Sequence, residues 1–163
     1  MSSTSKDSGY EIAHLFSVNR DQETERFKPF ASQKNRKLLW HGSQLGNFMG
    51  ILNQGLRSKP AAAYDSGSLY GNGIYFADMF CKSVDFATNI YGSSNPAYGL
   101  LLLCEVALDK ECPSTPSNCY RYQNEKEEKG YTSIKGLGKE GPNLSNALYD
   151  TDGVIKKNTV KWW

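Results

Sequence analysis

Three short strings carry residue types suited to holding a flat, amide-bearing heterocycle. They are Leu39-Trp40-His41-Gly42-Ser43, Gly71-Asn72-Gly73-Ile74-Tyr75-Phe76-Ala77-Asp78 and Cys81-Lys82-Ser83-Val84-Asp85-Phe86. His41 and Tyr75 sit at or near the ends of short apolar runs, where strands deliver side chains to a cleft. Gly42, Gly71 and Gly73 let a ligand come close to the backbone. Ser83, one turn into a predicted helix, offers a hydroxyl to a carboxamide. Tyr75 and Phe86 are flat rings flanking that position. Taken singly, each residue has an ordinary reading. His41 fits a core histidine satisfied by backbone, and Tyr75 and Phe86 fit core aromatics. Ser83 fits a hydroxyl bonded back to a helical carbonyl, and the glycines fit a turn.

The elements that must position these residues follow from periodicity. Apolar side chains alternate over residues 10–18, which predicts a strand. The charged stretch 19–28 reads as a helix start or a polar loop. Residues 37–40 form a short apolar strand ending at His41-Gly42-Ser43. Leu45, Phe48, Met49, Leu52 and Leu56 then share one helical face, a core face, with Ser43 as N-cap and Gly55 as the stop. Residues 57–73 read as a loop and 74–77 as a compact strand. Asp78 caps a second helix over about residues 79–91, with a loop after it. The near-continuous apolar run 99–108 predicts a central strand buried on both faces. Residues 110–129, with two prolines and the Glu125-Lys126-Glu127-Glu128-Lys129 run, read as a surface excursion. Residues 131–139 give another short strand and loop, and 141–163 carry turn signals. No repeat is visible. Strands outnumber helices, and the helices come early, so the class is α+β.

Composition narrows the functions. A chain of 163 residues with 39% apolar and 12% aromatic content supports one core. We read residues 1–9 as a disordered tail and 10–163 as one domain. The 19 basic and 17 acidic residues nearly cancel, so no direct nucleic-acid binding is expected. Cys81, Cys104, Cys112 and Cys119 show no C-x-x-C spacing, and there are only two histidines. That argues against a metal site and for free thiols in a reducing compartment. No apolar run approaches membrane-spanning length, and none reads as a signal peptide.

The same strings closely resemble the catalytic domain of poly(ADP-ribose) polymerases. The resemblance runs from about Tyr10 to about Asn146. It includes Arg26-Phe27-Lys28-Pro29-Phe30, Asn35 to Ser43, Gly50-Ile51-Leu52-Asn53-Gln54-Gly55-Leu56-Arg57, the block around Tyr75, Glu105-Val106-Ala107-Leu108 and Lys135-Gly136-Leu137-Gly138-Lys139. It implies the ADP-ribosyltransferase fold of mainly antiparallel split β-sheets with a few flanking helices. It implies NAD⁺ as a consumed substrate, with no metal, and transfer of ADP-ribose to acceptor proteins in the nucleus (or, failing that, the cytoplasm). By position, His41 would bond a ribose of NAD⁺. Gly42 and Ser83 would hold the nicotinamide carboxamide, with Gly73 beside them, and Tyr75 would stack on its ring. Phe86 stands where the family commonly has tyrosine. Ser43, Asn47 and Arg57 match positions near the adenosine half, and Lys82 matches a lysine beside the reaction centre. His41, Tyr75 and Lys82 form the implied catalytic set.

The resemblance also implies a catalytic glutamate on a strand a few dozen residues after the Gly136-Leu137-Gly138-Lys139 string. Beyond Lys139 the only glutamate is Glu140, and the remaining acids are Asp150 and Asp152. The domain is therefore expected to be incomplete at its C-terminus, with its last strands missing. The exposed sheet edge would be covered by a partner chain or by Trp162 and Trp163. Two readings stand side by side: an NAD⁺ ADP-ribosyltransferase present as a fragment, or a catalytically inactive NAD-binding or interaction module.

Overall fold

The computed structural model describes residues 9–58, 69–87, 98–114, 129–139 and 141–142. In chain order the elements are α1 (Asp21–Phe27), β1 (Arg36–Gly42), α2 (Phe48–Gln54), α3 (Phe80–Ala87), β2 (Leu101–Ala107), β3 (Glu111–Ser114) and β4 (Ser133–Gly136). Short 3₁₀ turns cover Lys28–Phe30 and Leu45–Asn47. The mixture of small sheets and short helices is α+β, as expected. The expected helix continuation past Ala87, most of the 57–73 loop, the 125–128 charge run, Cys119, Asp150, Asp152 and the two C-terminal tryptophans lie outside the described residues.

β1 organises the site. It pairs antiparallel with β2 from Arg36↔Ala107 to Gly42↔Leu101. On its other edge, Trp40 N–H donates to Ala77 O (2.7 Å), and Ala77 N–H donates to Trp40 O (2.8 Å). Among the described residues β1 thus has neighbours on both edges, and β2 has only β1. The 99–108 run was expected to be the central strand buried on both faces. It is instead half-buried, with Leu103 37% exposed. It packs against β1 and α3, and the charge of Glu23 is felt at Cys104. The compact strand expected at 74–77 is a single bridge through Ala77.

Residues 10–20 form no regular element. Tyr10, Ile12, Leu15, Phe16 and Val18 are exposed. Alternation alone makes no strand when no sheet edge among the described residues accepts its backbone groups. Tyr10 engages the body edge-on to Phe80, which in turn lies edge-on to Trp40.

The expected core face of α2 reduces to Phe48, which is 3% exposed, whereas Met49 is 80% exposed and Leu45 and Leu52 are also exposed. Leu45 winds in a 3₁₀ turn with three residues per turn, which takes it off the 3.6-residue stripe, whereas Met49 and Leu52 lie within α2 on its exposed side. Ser43 is not the N-cap. Gln44 and Asn47 precede the two helical pieces, neither with a side-chain cap, and Ser43 Oγ accepts from Asn47 Nδ2 instead (2.9 Å). The stop is as expected: Gly55, at φ 80°, donates its N–H to Ile51 O. α1 docks on this end of α2 through Arg20. Its Nη2 donates to Asn53 O (2.8 Å) while Nη1 bonds Glu23, placing a cation at a helix C-terminus.

The stretch expected to be a surface excursion contains β3, with Cys112 and Ser114 buried. β3 pairs in parallel with β4, and Leu137 N–H continues the ladder to Ser114 O. The two sheets are joined by Glu111. Its carboxylate accepts from Lys37 Nζ (3.0 Å) and Asn35 Nδ2 (3.1 Å), and Asn35 also donates to Asp109 O. Burial alone would raise the Glu111 pKa. The Lys37 and Asn35 hydrogen bonds and the charges of Lys37 and Lys135 outweigh it, so the carboxyl lies below its ordinary value. Arg36 and Glu105 add a diagonal ion pair across β1 and β2 (3.0 Å).

Candidate functional site

Successive β1 residues point to opposite faces, so His41 and Gly42 meet different neighbours. Gly42 ends the strand where α3 crosses. A Cβ at Gly42 would lie 1.8 Å from Ser83 O and 3.4 Å from Phe86 Cβ. No side chain fits there, which gives Gly42 a requirement that spacing alone does not reveal. Ser83 is 3% exposed, and its Oγ donates to Trp40 O (3.1 Å). The hydroxyl therefore reaches across to the strand, not back along its own helix. Its oxygen keeps lone pairs for an incoming N–H donor. Phe86, half-exposed, lies on the same helix one turn on.

His41 Nδ1 lies 2.8 Å from Tyr75 O. A carbonyl only accepts, so in this arrangement Nδ1 carries the proton, and in the neutral ring Nε2 is an acceptor. Burial lowers the His41 pKa, and the bond to the Tyr75 carbonyl partly restores it. The imidazole is accordingly neutral at physiological pH. Phe76 packs edge-on against it (5.7 Å).

Tyr75 is fixed at both ends. Its carbonyl holds His41, and its hydroxyl donates to Gly71 O (2.7 Å) and accepts from Tyr70 N–H (3.0 Å). Gly71 has φ 82°, a conformation glycine adopts without strain. Gly73 differs from the expectation of close approach: a Cβ there meets nothing within 4 Å.

The structure thus brings Gly42, Ser83 and Phe86 together at one junction, His41 and Tyr75 at a second, and Ser43 and Asn47 at a third. Lys82 and Arg57 are exposed, and among the described residues no hydrogen bond or ion pair joins either side chain to these clusters. Two residues at the site had no role expected from sequence: Trp40, whose carbonyl receives both Ser83 and Ala77, and Tyr70, whose N–H holds the Tyr75 hydroxyl. Among the described residues no group of three or more His, Cys, Asp or Glu is placed to hold a metal. Cys104 is pushed up to about 11 by burial and by Glu23, which keeps its thiol protonated and a poor nucleophile.

A neutral histidine thus stands beside a strand-terminal glycine closed over by a buried serine. Comparison with known proteins gives this arrangement a family. The model of the poly(ADP-ribose) polymerase catalytic domain matches residues 1–160, and the chain belongs to that family. It is 47% identical over 150 residues to poly(ADP-ribose) polymerase 2 of Arabidopsis thaliana, covering 91% of this chain and 23% of that protein. It is 44% identical over 144 residues to poly(ADP-ribose) polymerase 1 of Xenopus laevis, covering 88% and 14%. The Drosophila melanogaster poly(ADP-ribose) polymerase is 42% identical over 154 residues, covering 93% and 15%. The chain spans about a quarter or less of the length of these relatives.

Proposed function

We propose that this chain forms the NAD⁺-binding part of an ADP-ribosyltransferase, which cleaves the bond between nicotinamide and ribose and transfers ADP-ribose to acceptor proteins. The junction of Gly42 with Ser83 carries the reading. A glycine forced by the Ser83 carbonyl, with the Ser83 hydroxyl buried beside it, suits a carboxamide that needs both a donor and an acceptor. Tyr75 and Phe86 supply the flat surfaces for the ring. Phe86 keeps stacking area and forgoes a hydroxyl. His41, held by Tyr75 O, presents Nε2 as an acceptor for a ribose hydroxyl. Ser43, Asn47 and Arg57 serve the adenosine half, Gly73 borders the nicotinamide, and Lys82 acts next to the reacting carbon.

As nicotinamide leaves, positive charge develops on the ribose, as in glycoside cleavage. Fixing both the carboxamide and the ribose holds the scissile bond in one geometry, which is the part of catalysis these residues supply. A carboxylate would stabilise the charge and polarise the acceptor. The family resemblance assigns it to a glutamate on a strand a few dozen residues after Lys139, and between Lys139 and Trp163 the only glutamate is Glu140. The nucleus is the expected site of action.

Titration of the chain with benzamide, a carboxamide of nicotinamide shape, tests the pocket. Wild-type binding that Gly42→Ala abolishes supports it, and absence of wild-type binding refutes it. Nicotinamide release from NAD⁺, with His41→Ala as control, then separates a transferase from a module that binds without turnover.

A further inference from the structure

The string Lys135-Gly136-Leu137-Gly138-Lys139 has no part in the pocket described above, yet β4 brings one of its residues against the loop that carries Tyr75. A Cβ at Gly136 would lie 2.9 Å from Tyr70 Oη, 3.0 Å from its Cε2 and 3.1 Å from its Cζ. Gly136 is not in the left-handed region, unlike Gly71 or Gly55, so its backbone conformation is open to any residue. A methyl there would press on the outer half of the Tyr70 ring and displace it by a few tenths of an ångström. β4 cannot easily retreat, since it is laddered to β3 opposite the buried Ser114 and bonded again through Leu137 N–H.

From Tyr70 the contacts continue to the site. Its backbone N–H holds the Tyr75 hydroxyl, and the Tyr75 carbonyl holds His41 Nδ1. We propose that Gly136 and Tyr70 are positioning residues: the Tyr70 ring, seated on bare Gly136 backbone, sets where Tyr75 and therefore His41 stand. Its consequence for ligand rests on the nicotinamide-pocket reading. Its geometric content does not, because His41 responds with or without ligand. The second sheet, formed by β3 and β4, is in this way coupled to a pocket built wholly from β1, α3 and the Tyr75 loop.

The test is a double-mutant cycle on the full chain: wild type, Gly136→Ala, Tyr70→Leu and the pair. Each is read by benzamide affinity and by the NMR titration of the His41 ring, with thermal melts to establish folding. A leucine ends short of the three ring atoms named above, so it leaves room for an alanine. Gly136→Ala alone should weaken benzamide about tenfold and displace the His41 midpoint. Added to Tyr70→Leu, it should change affinity by less than about twofold. Equal losses in both backgrounds, or a Gly136→Ala chain that binds and titrates as wild type, would overturn the proposal. If wild type binds no benzamide, the pocket reading falls, and the four His41 titrations alone decide the positioning. Tyr70→Phe removes only the nearest atom and gives a milder second route. Combined with Gly136→Ala, it should recover part of the lost affinity, and no recovery counts against the ring contact.

Discussion

His41 Nδ1 donates to the carbonyl of Tyr75 at 2.8 Å, so one hydrogen bond fixes both the tautomer of the histidine and the direction of its other nitrogen. The strand supplies the ring and the loop supplies the acceptor. Neither string on its own defines the orientation.

Because burial lowers the His41 pKa, its titration midpoint should fall below the ordinary histidine value of about 6.5. The folded value lies below the unfolded one. The stabilisation is therefore complete above the unfolded pKa and is lost as pH falls through the folded pKa. NAD⁺ affinity should follow the same curve, since protonation removes the Nε2 acceptor. Benzamide, which has no ribose, should show a flatter profile. Equal pH dependence for the two ligands would remove His41 from the ribose.

Gly42→Ala should be severe, because the new methyl overlaps a backbone carbonyl that cannot rotate away. Overpacking of this kind costs about 1–3 kcal/mol. We expect benzamide binding to be lost even in the fraction that stays folded, as shown by calorimetry on the folded chain at low temperature.

Ser83→Ala should separate stability from binding. Trp40 O retains the Ala77 N–H, so the carbonyl is not orphaned, and the cost in stability should be near 1 kcal/mol. Benzamide affinity should fall further than that, by about tenfold or more, on losing a polar partner in a buried site. Urea midpoints measured alongside titrations would expose a merely structural role as matched losses.

Glu111→Gln tests the link between the sheets. The carboxyl lies below its ordinary value because its bonds and charges outweigh burial, so its contribution exists above the unfolded pKa and disappears as pH falls through the folded one. The pair with Lys37 is partly exposed, which holds the effect to about 1 kcal/mol or less. Wild type and variant should differ in urea midpoint near neutrality and converge in acid. A constant difference would assign the effect to packing.

The elements legible in sequence were those whose signals are local. The 37–40 run, extended by one residue before it and two after, is β1. Gly55 ends α2 because its φ of 80° admits little else. The 131–139 stretch yields β4. Failures came where partners decide. The alternation of residues 10–18 pairs with no strand among the described residues, and α2 loses Leu45 from its stripe to a 3₁₀ turn. β3 was hidden because Pro113 in a short, proline-containing run reads as loop, whereas its pairing partner lies well downstream at β4. At the site, His41, Gly42, Tyr75, Ser83 and Phe86 were visible as types in order. The two carbonyls that orient them, at Trp40 and Tyr75, belong to no motif, since every residue has a carbonyl.

The two-residue period of β1 gives the site an uncommon dependence. His41 stands opposite Leu102 and Gly42 opposite Leu101, on opposite faces of one ribbon. A slip of one residue against β2 would exchange those faces, setting an imidazole under the Ser83 carbonyl and a glycine where the ring should be. Such a slipped chain could keep much of its secondary structure and still present no pocket. Ligand binding by this domain therefore works as a proofreading assay for strand register: preparations with identical circular dichroism can be ranked for correct assembly by the fraction that takes up benzamide.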